Sequence, residues 1–327
     1  MHIQAHQIAV ITGGGSGIGR ALAQQLSAVG VHLSLCDVSE AGLADTRALC
    51  LADAPTGTRV HTARVDVSVE TDMLAFKAEV LAAHDSPHIH LLFNNAGISG
   101  GGSFVAGQRD QREAWERCFN VCWGGVYLGA RAFLPLLVAG PGGCIVNISS
   151  VNGFWASLGP GVSHTAYSAA KFAVKGFTEA LITDLRLNAP HVSCAVVMPG
   201  HIGTSIALNS INAAQMTPEQ LAQARGRLLR AGASVAELPD EAIRQILLQR
   251  GADFRDKAPT TAEQAATVIL DGVRAGQWRI LVGDDALELD RMVRNDPGNA
   301  YEAAFAQAWM DGRSTLVTPA PRSSAKA

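Results

Sequence analysis

The chain has 327 residues, enough for one large domain or two small ones. Hydrophobic residues make up 48% of it and charged residues 17%, which supports a sizeable buried core and excludes an intrinsically disordered chain. A net charge of -3 provides no basic surface that could hold a phosphate backbone, so we expect no nucleic-acid partner.

Short apolar segments rich in branched residues alternate with helical segments along the chain. The predicted strands are 7–12, 31–37, 64–67, 89–93, 144–149, 192–198 and 279–283. Strands that alternate with helices of this length imply crossover connections and a parallel sheet. We therefore predict an α/β fold with a Rossmann-type, doubly wound parallel sheet of about seven strands, in a single domain over residues 1–315.

Residues 203–259 interrupt this alternation with two helical stretches. One begins at Thr217-Pro218-Glu219 and the other after Pro239, and both carry the start signals of a helix. Thr260-x-x-Glu263 then matches a capping box, and the helix that it begins leads to the last strand. We predict that residues 203–259 are a helical insertion that forms a lid over the substrate.

The N-terminus lacks the basic and apolar regions of a signal peptide. The longest apolar stretch, residues 122–140, contains Arg131 and Pro135 and is interpreted as a helix that faces the core or a partner subunit. We therefore expect a cytoplasmic protein with no membrane partner. The six cysteines form no metal-binding pattern, so we expect no metal. Residues 316–327 are predicted to be a poorly ordered tail.

A glycine-rich turn, T-G-G-G-S-G-I-G at residues 12–19, joins the first strand to the next helix. Glycines permit a tight turn and bring backbone N–H groups close to a pyrophosphate, and the helix N-terminus adds positive potential. Asp37 ends the second strand, where a carboxylate can bind the ribose hydroxyls of an adenosine. These features predict a dinucleotide site whose loop residues are Gly13, Ser16, Gly17, Ile18 and Gly19.

Asp37 also indicates which dinucleotide binds. A carboxylate repels a 2′-phosphate, and the flanking positions, Ser16 and Val38, supply no Arg or Lys to hold one. We therefore predict NAD(H) as the cofactor in preference to NADP(H). The alternative for Asp37 is a helix-capping role.

Tyr167 and Lys171 are four residues apart in a helical segment, which places both side chains on one helix face. A Lys ammonium near a phenol favours the phenolate, as a positively charged nicotinamide ring would, and this prepares the Tyr for acid/base work. The spacing alone is common in helices, so the assignment depends on the motifs around it.

With these motifs the chain resembles the classical short-chain dehydrogenase/reductase family. The similarity covers about residues 5–205 and the final helix and strand to about residue 283. Beside the glycine-rich turn and the Tyr-Lys pair, five segments resemble motifs of that family: Asp66-Val67, Asn94-Asn95-Ala96-Gly97, Asn120, Ser150, and Pro199-Gly200 with Ile202 and Thr204.

The resemblance implies a role for each of these residues. Tyr167 would give or take the hydroxyl proton and Ser150 would donate a hydrogen bond to the substrate oxygen. Lys171 would bind the nicotinamide ribose and lower the Tyr pKa, and Asn120 would hold a water that links Lys171 to solvent. The other residues would contact the cofactor: Asp66, Val67, Asn94, Ala96, Gly97, Pro199, Gly200, Ile202 and Thr204.

The interval from Ser150 to Tyr167 is about four residues longer than is usual in the family. Ser149 and Ser157 are therefore alternatives for the catalytic serine. We prefer Ser150, because alternation along the strand and its position at the strand end both favour it.

Three segments are expected to form the substrate pocket: residues 100–107, 151–161 and 203–259. We hypothesise that Phe154 and Trp155 join Ser150 and Tyr167 in a pocket for a bulky, largely apolar alcohol or ketone. The alternative is that the two aromatic side chains pack under the insertion. The insertion also carries three arginines, interpreted as a solvated face or, alternatively, as a site for an anionic substrate tail: Arg225, Arg227 and Arg230.

The sequence thus predicts an NAD-dependent oxidoreductase that interconverts a secondary alcohol and a ketone. The alternatives are a non-catalytic dinucleotide-binding regulator, and an epimerase or dehydratase of the same fold, against which the T-G-x-x-x-G-x-G spacing argues. Small residues in the helical segments 115–138 and 164–188 allow close packing between subunits. We therefore expect a homodimer or homotetramer.

Overall fold

The computed structural model describes residues 1–100, 102–105, 111–157, 163–210, 216–230 and 232–316. The strands in these ranges are β1 (Ile8–Thr12), β2 (His32–Asp37), β3 (Val60–Arg64), β4 (Leu91–Asn94), β5 (Gly143–Ile148), β6 (Val192–Pro199), β7 (Ile202–Gly203), β8 (Thr260–Thr261) and β9 (Arg279–Val282). The α-helices are α1 (Gly17–Ala28), α2 (Glu40–Asp53), α3 (Glu70–His84), α4 (Gln111–Phe119), α5 (Gly125–Val138), α6 (Thr165–Asn188), α7 (Ile206–Ser210), α8 (Pro218–Arg230), α9 (Asp240–Asp256), α10 (Ala262–Arg274), α11 (Asp284–Asn295) and α12 (Ala303–Leu316).

Seven strands form one parallel sheet in the order β3-β2-β1-β4-β5-β6-β9, which confirms the predicted doubly wound α/β fold. The chain begins in the middle of the sheet, builds outward to β3 and then crosses back to β4 beside β1. Ligands of such folds bind outside the carboxyl ends of the strands, at the point where the winding reverses. The candidate site is therefore expected at the ends of β1 and β4.

The third strand lies at Val60–Arg64, earlier in the chain than the predicted 64–67. It stands at the edge of the sheet, and most of its residues are only partly buried. Its sequence, VHTAR, lacks the continuous apolar run that identifies central parallel strands, and this is why its position was misjudged. The residues predicted as strand instead lead into the turn before α3.

Helices cover both faces of the sheet with separate hydrophobic clusters. α1, α2 and α10 pack on one face, and α3, α5 and α6 pack on the other. The continuous helical segment Arg112–Val138 is long and apolar enough to cross a membrane by length and composition alone. Half of its most apolar window is buried in the molecule, as expected of a core helix.

Residues between β7 and β8 form an excursion from the sheet that contains α7, α8 and α9. β7 and β8 pair in parallel, so the two ends of this excursion are joined by backbone hydrogen bonds. α8 and α9 enclose a small hydrophobic cluster of their own. The capping box of α10 is formed by Thr261 and Gln264, not by the predicted Thr260 and Glu263, because Thr260 belongs to β8.

The C-terminal helices α11 and α12 build a further hydrophobic cluster against the segment that follows β5. α12 extends to Leu316. The remainder of the predicted tail, residues 317–327, lies outside the described part of the chain.

Candidate active site

The glycine-rich turn lies between β1 and α1 at the carboxyl edge of the sheet. Gly13 has a φ of 68° and Gly17 a φ of 53°, backbone conformations that favour glycine. A Cβ on Gly13 would stand 2.9 Å from the Cα of Ala96, and one on Gly19 would overlap the Gly13 carbonyl. No side chain caps the first turn of α1 and no acidic residue lies in it. The uncapped N–H groups in the first turn of α1 thus fit the pyrophosphate of a dinucleotide.

A network of hydrogen bonds joins the glycine-rich turn to the end of β4. The Thr12 hydroxyl accepts hydrogen bonds of 3.0 Å from the backbone N–H groups of Asn95 and Ala96. The Asn95 side chain donates in return to the carbonyls of Thr12 (2.9 Å) and Gly13 (3.2 Å). Neither Thr12 nor Asn95 is among the predicted site residues, although both lie within the motifs that identified the site.

Asn94 has a different environment from its neighbour. Its buried side chain donates to Asn147 in β5 at 2.8 Å, and Asn147 donates to the Thr178 hydroxyl in α6 at 3.0 Å. This chain ties two strands and a helix together inside the protein. The predicted contact of Asn94 with the cofactor would therefore have to come from its backbone.

Asp37 is held beside the glycine-rich turn by both carboxylate oxygens. Oδ2 accepts from the Gly15 backbone N–H and Oδ1 from that of Ser39, each at 3.0 Å. The expectation that no arginine lies near this carboxylate needs correction. Arg20 donates to the Gly15 carbonyl at 2.7 Å, and Arg64 is the register partner of Asp37 on β3. Arg20 was missed because it is not next to Asp37 in the sequence, and folding brings it to the Gly15 carbonyl beside this carboxylate.

The Asp66-Val67 pair lies just after β3. Asp66 accepts hydrogen bonds from the backbone N–H and the hydroxyl of Ser68 at 2.9 and 2.6 Å, which fixes this turn. Val67 is buried, and a Cβ on Gly125 would collide with its side chain. These contacts place the pair next to α5, on the β4 side of the predicted adenosine site.

The two adjacent serines at the end of β5 have different partners. The Ser149 hydroxyl donates to the Lys171 carbonyl at 2.7 Å and is buried. The Ser150 hydroxyl caps the turn after β5 by accepting from the Asn152 backbone N–H at 3.2 Å, and the same side chain lowers the pKa of the Tyr167 phenol. Ser157 contributes its backbone carbonyl to Asn152. The structure therefore brings Ser150, and not Ser149, to the Tyr167 hydroxyl.

Burial raises the pKa of the Tyr167 phenol above its usual value, the nearby Cys122 and Cys118 add to the rise, and the Ser150 side chain opposes it. Burial also lowers the pKa of Lys171, with the two cysteines opposing. Lys171 Nζ lies 5.4 Å from the centre of the Tyr167 ring and donates to the Ile148 carbonyl at 2.9 Å. The expected lowering of the phenol pKa by Lys171 is thus not found in the protein alone.

Asn120 begins the π-helical turn that joins α4 to α5. Such turns widen a helix locally and are frequent at functional sites. The same turn carries Cys122, whose Sγ lies 3.2 Å from the Ile98 carbonyl. A Cβ on Gly97 would stand 3.6 Å from Lys171 Nζ and 3.7 Å from Cys122 Sγ. Because Gly97 has no side chain, Lys171 and the π-helical turn can approach the end of β4.

The segment after β6 folds back over the glycine-rich turn. The Gly200 N–H donates to the Val282 carbonyl at 2.9 Å, and Ile202 pairs with Thr260. A Cβ on Gly17 would lie 3.1 Å from the Thr204 methyl group. Pro199, Gly200, Ile202 and Thr204 are therefore brought opposite the residues at the start of α1, including Ser16, whose hydroxyl lies 3.4 Å from Asn209 Nδ2.

A family model described as short chain dehydrogenase matches residues 7–215. The chain belongs to the short-chain dehydrogenase/reductase family. The Mycobacterium tuberculosis protein SadH is 38% identical over 302 residues, 92% of this chain and 94% of SadH. Levodione reductase from Leifsonia aquatica is 34% identical over 222 residues, 65% of this chain and 75% of its own length. A Burkholderia phymatum member solved in complex with NAD has a TM-score of 0.70 at 32% identity, over 90% of this chain and 95% of that one.

Trp155 does not line a pocket, contrary to prediction. It is 1% exposed, its indole N–H donates to the Ala300 carbonyl at 2.6 Å, and its ring packs against Phe305 and Trp309. The cluster that covers it comes from the C-terminal helices, not from the insertion. Phe154 is partly buried at the edge of the same cluster, and its place in the pocket stays a prediction.

Arg225 bonds within the insertion. Its guanidinium donates to the carbonyls of Val235, Ala236 and Leu238, and it pairs with Asp240 at 2.7 Å. These contacts join α8 to α9 and leave this arginine a structural role. The side chains of Arg227 and Arg230 lie outside the described part of the structure. So do parts of the predicted pocket: residues 101, 106–107, 158–161, 211–215 and 231.

One residue near the reacting group was missed altogether. His164 precedes α6, and its ring stacks on that of Tyr167 with centroids 4.7 Å apart. Burial lowers the pKa of His164 to about 4, so its imidazole is neutral at neutral pH. Its place against the Tyr167 ring arises in the folded chain, and no motif in the sequence marks it.

Proposed function

We propose that this dehydrogenase is an NAD-dependent enzyme that interconverts a bulky, largely apolar secondary alcohol and the corresponding ketone. The observation that carries the proposal is the cluster of Ser150, Tyr167 and Lys171 at the sheet edge that holds the glycine-rich turn. Lys171 Nζ lies 5.4 Å from the centre of the Tyr167 ring, and Ser150 lowers the pKa of the Tyr167 phenol. A proton donor, a hydrogen-bond donor and a nucleotide cradle on one edge are what a carbonyl reduction needs.

Residues of this chain would transfer the hydroxyl proton of the substrate. The raised pKa of Tyr167 keeps the phenol protonated, ready to donate to a developing alkoxide on the substrate. Ser150 would donate a second hydrogen bond to the same oxygen. NAD(H), when bound, supplies or accepts the hydride. In the oxidising direction Tyr167 must lose its proton, which requires a cation close to the phenol beyond what Lys171 provides in the protein alone.

NAD(H) is proposed over NADP(H) because of Asp37. Its carboxylate is fixed by two backbone N–H groups at the end of β2, so it would stay in place to accept hydrogen bonds from ribose hydroxyls. The negative charge of this carboxylate would repel a 2′-phosphate. The Burkholderia phymatum relative, solved in complex with NAD, supports the choice. Arg20 does not reverse it, because Nε and one Nη of its guanidinium are bonded to Thr46 and to the carbonyls of Gly15 and Gly42.

The proposed substrate class follows from the surface near Tyr167. The Thr165 hydroxyl and backbone N–H both donate to the Gly102 carbonyl, at 2.8 and 3.2 Å, which holds residues 102–105 against the start of α6. Phe104 and Val105 in that segment are 79% and 95% exposed. Apolar side chains left in solvent beside a catalytic group favour an apolar ligand. One relative is named levodione reductase, which is consistent with a carbonyl compound as the substrate.

The test is the absorbance of NADH during turnover of a panel of alcohols and ketones, run with NAD(H) and with NADP(H). We expect activity on bulky apolar secondary alcohols or their ketones, a higher kcat/KM with NAD(H), and a shift toward NADP(H) in Asp37→Ala. Activity only on small charged hydroxy acids would refute the substrate class. Equal efficiency with both cofactors would refute the cofactor preference.

Tyr167→Phe should abolish turnover and leave NADH binding intact. Tyr127→Phe, at an exposed tyrosine of α5, is the matched control and should keep full activity. Tight NADH binding by the wild-type chain without turnover of any substrate would support the dinucleotide-binding regulator instead.

A further inference from the structure

A buried carboxylate lies beneath the segment that folds over the glycine-rich turn. Asp285, in the first turn of α11, is 5% exposed. Its Oδ2 accepts a hydrogen bond of 2.7 Å from the backbone N–H of His201. Its Oδ1 is buried and has no hydrogen-bond partner among the described residues. A carboxylate in such a place destabilises the fold unless its contacts compensate, so the bond to His201 is a strong constraint on that peptide.

The backbone around Asp285 is shaped to hold this carboxylate. A Cβ on Gly200 would overlap the carboxylate oxygens, and a Cβ on Gly283 would stand 2.6 Å from Oδ1. Gly283 also has a φ of 98°, a conformation that side chains rarely adopt. Two glycines from separate strand ends thus leave the space that one aspartate fills.

His201 connects this contact to α9 of the insertion. Its Nε2 lies 2.7 Å from the Phe254 carbonyl in α9, and its ring stands 4.3 Å from the Phe254 ring. Asp285 therefore fixes the backbone of a residue whose side chain holds the last turns of α9. On the other side of His201 the chain continues into Ile202 and Thr204.

We propose that Asp285 is a positioning residue for cofactor binding, which acts through the His201 peptide to hold Ile202 and Thr204 against the start of α1. This rests on the proposed function, because it assumes that the segment from Pro199 to Thr204 binds the nicotinamide end of NAD(H). Asp285 lies outside the residues 7–215 that match the family model. It touches neither substrate nor cofactor itself.

The experiment measures NADH affinity by fluorescence, steady-state kinetics and thermal midpoint for a set of variants. Asp285→Ala should weaken NADH binding about tenfold, as loss of one charge-assisted hydrogen bond implies. Asp285→Asn keeps an acceptor for the His201 N–H and should stay within about threefold of wild type. Asp284→Ala, at the exposed neighbour in the same turn, is the matched control and should bind NADH normally.

Asp285→Ala leaves a void that lowers stability, so a second variant separates folding from positioning. Val80→Ala, on the buried face of α3, leaves a void away from this segment, and it should lower the thermal midpoint but bind NADH normally. Unchanged NADH affinity with only a lower thermal midpoint would overturn the proposal. A wild-type chain that binds no NADH would instead refute the proposed function, and the positioning role with it.

Discussion

Replacing Trp155 tests whether this side chain supports the fold or selects the substrate. The indole is 1% exposed and lies among Phe305, Trp309 and Leu289 of the C-terminal helices. Truncating a buried Trp to Ala costs about 3–5 kcal/mol through lost burial and the cavity left behind. The Ala300 carbonyl also loses its donor, which adds about 1–3 kcal/mol if it stays buried. Trp155→Ala should therefore remove roughly 4 kcal/mol or more of the unfolding free energy.

Urea and thermal unfolding of Trp155→Ala and Trp155→Phe measure this loss. The Phe variant keeps most of the ring packing and gives up the hydrogen bond, so it should lose about 1–2 kcal/mol. At this chain length, Trp155→Ala should lower the thermal midpoint by roughly 6–10 °C. Trp278→Phe, at a tryptophan that is 43% exposed, is the control and should unfold like wild type.

Kinetics on several substrates supply the outcome that would refute this reasoning. A packing role predicts that kcat/KM changes by a similar factor for all substrates, because the Ser150 segment shifts as a whole. If Trp155→Ala left stability unchanged and altered the ranking of substrates, the indole would be a pocket wall and the packing account would be wrong.

Three further predictions concern other parts of the molecule. Burial, then Arg59, lowers the pKa of the buried His84 from 6.5 to about 4, so the unfolded chain takes up a proton that the folded chain resists. Stability should therefore fall as the pH drops from about 6.5 toward 4, by about 2 kcal/mol at pH 5, and urea unfolding of His84→Gln should lack this part of the loss. Ser150→Ala should lower kcat about a hundredfold while Ser149→Ala lowers stability, and the reverse result would identify Ser149 as the catalytic serine. Light scattering should show a dimer or tetramer, because Tyr127 on α5 and Phe172 on α6 are 45% and 41% exposed, and a monomer would contradict this.

Much of the fold could be predicted because its central strands are buried on both faces. β1, β4, β5 and β6 form continuous apolar runs, and each was located to within two residues at either end. β3 was misplaced because its sequence, VHTAR, has no such run. The capping box of α10 was misassigned by one residue because pairing with Ile202 holds Thr260 in a strand, which no local pattern reveals.

The candidate site could be predicted where a residue in a motif has a single role that its residue type determines. Asn94 and Asn95 show the limit of that approach. They are adjacent and identical, yet Asn95 fastens the glycine-rich turn while Asn94 bonds to β5. Which amide faces which way depends on the pleat of β4 and on contacts 53 and 83 residues away, so the motif alone cannot assign them.

The errors at Trp155 and the omission of Asp285 have a common physical origin. Both residues belong to contacts between the motif-bearing part of the chain and the C-terminal helices, at separations of 145 and 84 residues. Sequence motifs contain the residues that would contact ligands. The positions of those residues depend also on helices that pack against them and carry no motif. Here α12 holds the segment after Ser150, and α11 holds the segment before Thr204. Because these two segments would flank the substrate from opposite sides, changes in the C-terminal helices should alter activity without touching a motif residue.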